Sequence, residues 1–334
     1  VHFRRGENMP DAICLGELLI DFVSTAPDVG VADSPGFIKA PGGAPANVAV
    51  GLAKLGVDTG FIGKVGDEPF GSFLRDVVAA EGVDVGHLLI GEGTRTTLAF
   101  VATRSDQTKD IAFYRNPGAD MLLSPAELDR AYLGTAKVFH FGSVSLSENP
   151  CREATLEAAR LAKEAGALIS YDPNWRPALW RNHEEAKRLI GDAMHLTDLV
   201  KLAEEEWEFG TGTADLDAGA RRLLDLGVQW VVVTRGENGC WFTNGTCTGS
   251  EPAFRMDVVD TLGAGDAFVA ALLSKLLTAG DLGRLSLAQM TDFARYANAA
   301  GALTTQAVGV IPALPTDAQI GAFVETSNGR AGRR

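Results

Sequence analysis

Asp260-Thr-Leu-Gly-Ala-Gly-Asp-Ala-Phe268 leads into apolar residues at helical spacing: Phe268, Ala271, Leu272, Leu276 and Ala279. The spacing predicts a turn at Gly263 and Gly265, then a helix whose first turn carries Asp266. The two glycines free the backbone for φ > 0 and for close approach by a ligand. The first amides of a helix lack internal partners, and the helix dipole is positive there. The Gly263-Ala264-Gly265 turn is therefore a candidate anion hole. Asp266 has two readings. It can cap the helix, which is worth about 1 kcal/mol. It can instead be a general base beside a phosphoryl group in transfer. The turn alone does not separate them.

A second glycine-rich turn lies far upstream, in Pro41-Gly-Gly-Ala-Pro-Ala-Asn47. Val48, Ala49, Leu52, Ala53 and Leu55 follow at helical spacing, and Gly56 ends the helix. Asn47 reads as a plain helix-surface amide or as a hydrogen-bonding group for ligand hydroxyls. In order and separation the two elements, Gly-Gly-x-x-x-Asn and Asp-Thr-x-Gly-Ala-Gly-Asp, resemble the two signature regions of the ribokinase-like (PfkB) sugar kinases. The resemblance spans about residues 11–318. It implies a single α/β domain with a doubly wound, mostly parallel sheet and helices on both faces. A small β-sheet lid is implied from residues near 25–41 and 95–116, with tails at 1–10 and 325–334. It also implies ATP as co-substrate, Mg²⁺, K⁺ as activator, and a homodimer joined through the lid.

The chain's own patterning points the same way. Ala12–Leu15 and Leu18–Phe22 are apolar runs around Gly16, which reads as one buried first strand. Thr96–Thr103 and Asp110–Tyr114 flank Ser105-Asp-Gln and read as a hairpin. From Ser124 onward helices and strands alternate. Helices are expected at Pro125–Tyr132, Cys151–Ala165, His183–Met194 and Asp215–Leu226. Strands are expected at Lys137–Phe141, Leu168–Tyr171, Leu199–Leu202 and Trp230–Thr234. Such alternation argues for right-handed βαβ units and a parallel sheet. Ligands bind such sheets beyond the carboxyl ends of the strands. Ser143, Asp172, Lys201 and Thr234 all sit at those ends. Cys240–Cys247 reads as a further hairpin around Asn244-Gly245.

Composition bounds the function. The net charge of −13 argues against nucleic acid and against an anionic membrane surface. No apolar run is long enough to span a bilayer, and residues 1–10 lack the apolar core of a signal peptide. Cys14, Cys151, Cys240 and Cys247 form no CxxC pair, as expected of reduced thiols in a cytoplasmic protein. There is no P-loop motif, no protein-kinase motif set and no Gly-x-Gly-x-x-Gly after the first strand. The histidines are scattered without metal-ligand spacing, and His140 is expected to be a satisfied core residue.

The resemblance assigns further roles. Asp266 is the base, with Gly263, Ala264 and Gly265 as the anion hole. Asp21, Gly42, Gly43, Asn47, Phe100, Arg115 and Arg176 hold the sugar. Thr234, Gly236 and Gly239 form the nucleotide loop. Asn298 lies beside the adenine, where the small residues from Ala299 to Ala302 either admit a flat base or pack helices. Glu204 holds the Mg²⁺ water shell in a motif usually written Asn-x-x-Glu. Lys201 stands in the Asn position, and a lysine there can reach a phosphate. Asp260, the Leu262 carbonyl and the backbone through Thr304, Ala307 and Gly309 resemble a K⁺ site of oxygen donors. Phe113-Tyr-Arg-Asn-Pro117 and Tyr171-Asp-Pro-Asn-Trp-Arg-Pro-Ala-Leu-Trp180 resemble the fructokinase branch, so D-fructose is the expected substrate. 2-Keto-3-deoxygluconate, ribose and nucleosides are the alternatives within the family. A catalytically inactive regulatory member would lack the base or a turn glycine, and neither is missing here.

Overall fold

The computed structural model describes residues 9–104, 108–279 and 282–331. In chain order the strands are β1 (Ala12–Leu15), β2 (Leu19–Ser24), β3 (Phe37–Gly42), β4 (Thr59–Gly66), β5 (Leu88–Gly91), β6 (Leu98–Thr103), β7 (Lys109–Tyr114), β8 (Val138–Gly142), β9 (Leu168–Asp172), β10 (Leu199–Ala203), β11 (Trp230–Thr234), β12 (Cys240–Thr243) and β13 (Thr248–Glu251). The helices are α1 (Ala44–Lys54), α2 (Pro69–Ala80), α3 (Arg130–Leu133), α4 (Cys151–Glu164), α5 (His183–Met194), α6 (Glu204–Thr211), α7 (Leu216–Asp225), α8 (Ala264–Ala279), α9 (Leu287–Thr304), α10 (Val310–Ala313) and α11 (Asp317–Ala331).

Among the described residues the strands form two sheets. The larger has nine strands in the order β13-β12-β11-β10-β9-β8-β1-β4-β5. From β11 to β5 all neighbours are parallel, and β12 and β13 turn back antiparallel at one edge. Strands buried on both faces read as unbroken apolar runs, as in Ala12–Leu15. Ala12 and Cys14 belong to one core cluster, Ile13 and Leu15 to another. Successive side chains point to opposite faces of a strand, so the sheet separates two cores. One core lies with α1, α8 and α9, the other with α4, α5 and α7.

The strand order reverses at β1, which has β4 on one side and β8 on the other. Connections leave this point in opposite directions and open a crevice at the strand ends. The smaller sheet, β3-β2-β6-β7, is built from the excursions between β1 and β4 and between β5 and β8. The hairpin β6–β7 is antiparallel as its sequence predicts, and its turn residues 105–107 lie outside the described residues.

Three sequence expectations are corrected. The single strand through Gly16 is two strands in different sheets, β1 in the large one and β2 at the centre of the small one. β1 is buried throughout, and Leu19 and Ile20 at the start of β2 are buried as well, which conceals the break. Pro125–Tyr132 is not one helix: a 3₁₀ turn ends at Glu127, and Asp129 restarts the chain as α3 by accepting the Ala131 and Tyr132 amides. The segment from 325 is not a tail at its start, since α11 runs to Ala331. No helix among the described residues is long and apolar enough to cross a membrane.

α1 and α8 lie against each other where Gly51 meets Ala270. A Cβ on Gly51 would come within 2.6 Å of the Ala270 Cβ. Gly51→Val is expected to force the helices apart and to cost about 1–3 kcal/mol of stability. The denaturant midpoint should fall and turnover should fall with it. An unchanged midpoint would contradict the packing.

Candidate active site

Two helix N-termini meet at the crevice. α1 begins after Gly42-Gly43. Gly43 has φ 112°, and a Cβ there would lie 2.3 Å from the Glu17 carbonyl oxygen. Gly42 faces the Asp21 carboxylate so closely that a Cβ would sit 2.1 Å from Oδ2. α8 begins after Gly263, which has φ 78° and is pressed against Val310. Asn47 near the start of α1 donates from Nδ2 to Asp266 Oδ2 at 2.7 Å. Both residues are buried, and both line a cavity of about 500 Å³. That volume suits a small ligand with part of a second one.

Gly263 and Gly265 form one wall of this cavity, next to Asp266. Their turn offers N-terminal helix amides to an anion, as its sequence implies. Leu19, Asp21, Ala99, Val101, Lys109, Ile111 and Phe113 come from the small sheet and form the opposite wall. Arg176 and Asn174 reach in from the loop after β9. Trp175 in that loop stacks on Phe209, with ring centroids 3.7 Å apart, and leaves Arg176 turned to the cavity.

Burial sets the electrostatics. It pushes the Asp266 carboxyl up to about 6, against the lowering effect of the Asn47 hydrogen bond. It pushes Asp21 and Glu17 up to about 7 each. Burial also pushes Lys109 below its usual range. Arg115 is committed elsewhere. Its Nε donates to Asp120 Oδ2 at 2.7 Å, and its two other nitrogens donate to Ser147 Oγ and to the Val144 carbonyl.

Lys201 is buried in the middle of β10 and donates from Nζ to Asp172 Oδ2 at 3.0 Å. Burial pushes its ammonium down, but Asp172 and Glu206 more than offset this and hold it above its usual range. The same Nζ lies 3.2 Å from where a Cβ on Gly265 would stand. A fixed positive charge therefore sits against the anion turn.

Other expected site residues lie outside the cavity. Phe100 is on the opposite face of the small sheet from its neighbours Ala99 and Val101, stacked on Phe22 at 5.0 Å. A strand alternates its side chains, so one residue's shift in sequence changes the face. Glu204 is exposed at the start of α6. The buried acid of that turn is Glu206, which accepts the Ala203 and Trp175 amides, while Glu205 lines the cavity. Asn298 gives its amide nitrogen to the Glu251 and Pro252 carbonyls at 3.1 and 3.2 Å. The small residues after it pack helices, with Gly301 admitting the Ala264 carbonyl. Thr234, Gly236 and Gly239 lie at the end of β11, beside the strand that carries Lys201. Val259 and Asp260 donate their amides to the Thr305 carbonyl, joining the two segments of the expected cation site. Gly309 begins α10 with φ 85°, and Ala307 lies between them. The Thr304 hydroxyl donates to the Ala300 carbonyl, and the Asp260 carboxylate accepts the Leu262 amide. His140 is a satisfied core residue, bonded to Ser170 Oγ and pushed down to about 4 by burial.

Sequence reasoning missed Glu17 and Lys109 as cavity residues. Glu17 sits inside an apolar run with no motif around it, and Lys109 is an ordinary strand-end charge. Asp172 was visible only as one of several polar residues at strand ends.

The family model for pfkB family carbohydrate kinases matches residues 9–317. Fructokinase-1 of Zea mays is 45% identical over 315 residues, covering 94% of this chain and 97% of that protein. The crystal structure of a fructokinase from Xylella fastidiosa with bound ATP superposes with a TM-score of 0.88 at 33% identity, covering 96% of this chain and 100% of that one. A fructokinase double mutant from Vibrio cholerae O395, in a fructose, ADP and potassium ion bound form, superposes with a TM-score of 0.84 at 32% identity over 96% of this chain and 100% of that one.

Lys201→Ala leaves Asp172 buried without its cation, which is expected to cost about 3–5 kcal/mol of stability. Adding Asp172→Asn should restore most of that stability. It should not restore turnover, which is expected to stay about 10²–10³-fold low, as when one donor to a developing anion is lost. Full turnover in the stable double variant would remove Lys201 from the chemistry.

Proposed function

The chain belongs to the pfkB family of carbohydrate kinases, and from this we propose that it is an ATP-dependent fructokinase, transferring the γ-phosphoryl group to the 6-hydroxyl of D-fructose. The observation that carries the reading is the Asn47–Asp266 hydrogen bond inside a cavity walled by the Gly263–Gly265 turn. Asp266 accepts the proton of the attacking hydroxyl. Its raised pKa makes it a better base than an exposed aspartate, and at about 6 it still leaves the carboxyl mostly ionised at neutral pH. Asn47 orients the carboxylate. The turn amides and Lys201 neutralise the transferring group, and the reaction needs little beyond such positioning and charge.

On the nucleotide side Thr234, Gly236 and Gly239 are the proposed loop contacts. Mg²⁺ supplies charge neutralisation for the phosphates when bound, and Glu204, solvent-exposed at the start of α6, would hold its water shell. Glu205 of the same turn is also exposed and lines the cavity, while Glu206 is buried. For K⁺, the Asp260 carboxylate with the backbone around Leu262 and Thr305–Gly309 fits a hard monovalent cation. The small sheet acts as a lid that excludes water when closed. Its exposed Ile38 and Tyr114, and the open edges of β3 and β7, support a homodimer through this sheet.

A keto-acid sugar would want a free bidentate cation for its carboxylate. Of the two cations that could provide it, Arg115 is already paired with Asp120, whereas Arg176 lines the cavity, so the acid sugar stays as the second reading.

The test is kcat/KM for fructose, 2-keto-3-deoxygluconate and ribose under identical ATP, Mg²⁺ and K⁺. Fructose is expected to lead. A tenfold lead by either competitor, about 1.4 kcal/mol, would overturn the sugar but not the chemistry. Replacing K⁺ by Na⁺ at fixed ionic strength should lower turnover. Asp266→Asn should lower kcat by roughly 10²–10⁴-fold.

The same substitution has a signed effect on stability. The Asp266 pKa is raised in the folded state, so its contribution is fully present below about pH 4 and is lost as pH rises through about 6. Asp266→Asn is therefore expected to raise Tm near pH 8, with the gain fading at about pH 4. A gain that grows on acidification would contradict the burial of a charge here.

A further inference from the structure

Glu17 follows β1 at the crevice and is 4% exposed. Oε1 accepts the Ala44 amide at 3.2 Å, in the first turn of α1. Oε2 is buried and has no hydrogen-bond partner among the described residues. Glu17 is also part of the cavity wall. The neighbouring Arg115 does not serve it, since that guanidinium is directed to Asp120, Ser147 and the Val144 carbonyl. A buried carboxylate oxygen without a donor is costly and calls for one.

We propose that Glu17 is a sugar-recognition residue whose Oε2 accepts a hydrogen bond from a substrate hydroxyl. The inference rests on the kinase reading and adds a residue to its sugar site. Asn47 presents a second buried acceptor without a donor, its Oδ1, to the same cavity. Ala44, to which Glu17 is tied, precedes Asn47 by three residues, about 4.5 Å along the helix. One hexose bridges that distance. Two unfilled acceptors on residues that line one cavity ask for a ligand rich in O–H donors. The charges nearest Glu17, Asp120 and Arg115, are paired with each other and oppose one another there, which leaves the acceptor suited to a neutral hydroxyl. A hydroxyl arriving at Oε2 would also favour the ionised carboxylate, whose pKa burial has raised to about 7.

Two variants of the full chain test this. Glu17→Gln keeps a carbonyl oxygen for the Ala44 amide and removes the charge. Glu17→Asp keeps the charge and withdraws it by one methylene. Each is assayed with the sugar that the wild-type protein phosphorylates best, and with analogues of that sugar lacking one hydroxyl at a time. A wrong sugar would thus overturn the fructose reading and leave this comparison intact. The expected result is a loss of roughly 10–100-fold in kcat/KM for the parent sugar, mostly in KM, with the KM for ATP unchanged. For one deoxy analogue, variants and wild type should be equal, because the partner hydroxyl is already gone. An equal penalty on every analogue, no penalty at all, or failure of both variants to fold would make Glu17 a structural support for α1 and overturn the proposal.

Discussion

The hydrogen bond from Asn47 to Asp266 joins residues 219 positions apart and fixes the start of α1 against the start of α8. Its geometry is repeated one turn further on, where Gly51 meets Ala270. The helices therefore run side by side in the same direction and direct their positive ends to one place. Everything else in the site is arranged around that meeting point. The glycine turns before each helix exist because the chain must arrive there without a Cβ. The large sheet supplies the place, since its order reverses at β1.

The site carries an electrostatic tension. Asp266, Asp21 and Glu17 are all acids whose ionised form burial disfavours, in a chain with a net charge of −13. A charge-assisted hydrogen bond such as that from Asn47 returns about 1.5–3 kcal/mol. The cations are arranged differently. Lys201 and Arg115 are held by Asp172 and Asp120, so neither is an uncompensated buried charge. Lys201 nonetheless touches the anion turn, whereas Arg115 is locked among Asp120, Ser147 and a carbonyl. The same pairing thus leaves one cation poised for a ligand and turns the other into scaffolding.

Much of this was legible in the chain. The periodicity after Asp260 and after Pro41 located both helix starts, and strand–helix alternation after Ser124 foretold the parallel sheet. Local patterning failed where tertiary position decides. Leu18–Phe22 is apolar apart from Asp21 and Ala12–Leu15 is apolar throughout, so hydrophobicity alone does not mark the step from one sheet to the other. The resemblance assigns Phe100 to the sugar, but the facing residues are Ala99 and Val101, and only the register with β2 and β7 reveals which face is which. Glu204, Glu205 and Glu206 are identical in type and differ only in their angle around α6. The Asn298 amide was legible as a polar group near small residues, not as one already bonded to two carbonyls on β13 and the residue after it.

The strands of the small sheet are all drawn from two connections of the large one, between β1 and β4 and between β5 and β8. The residues proposed to surround the transferring group, from Asp172 and Lys201 to Gly263 and Asp266, belong to later parts of the chain. Ligand selection and bond-making chemistry are thus written largely in separate stretches of the gene. A lineage can revise β6 or β7 without disturbing the register of the parallel strands or the two helix starts. Substrate range is then free to drift over generations while the phosphoryl-transfer apparatus is inherited unchanged.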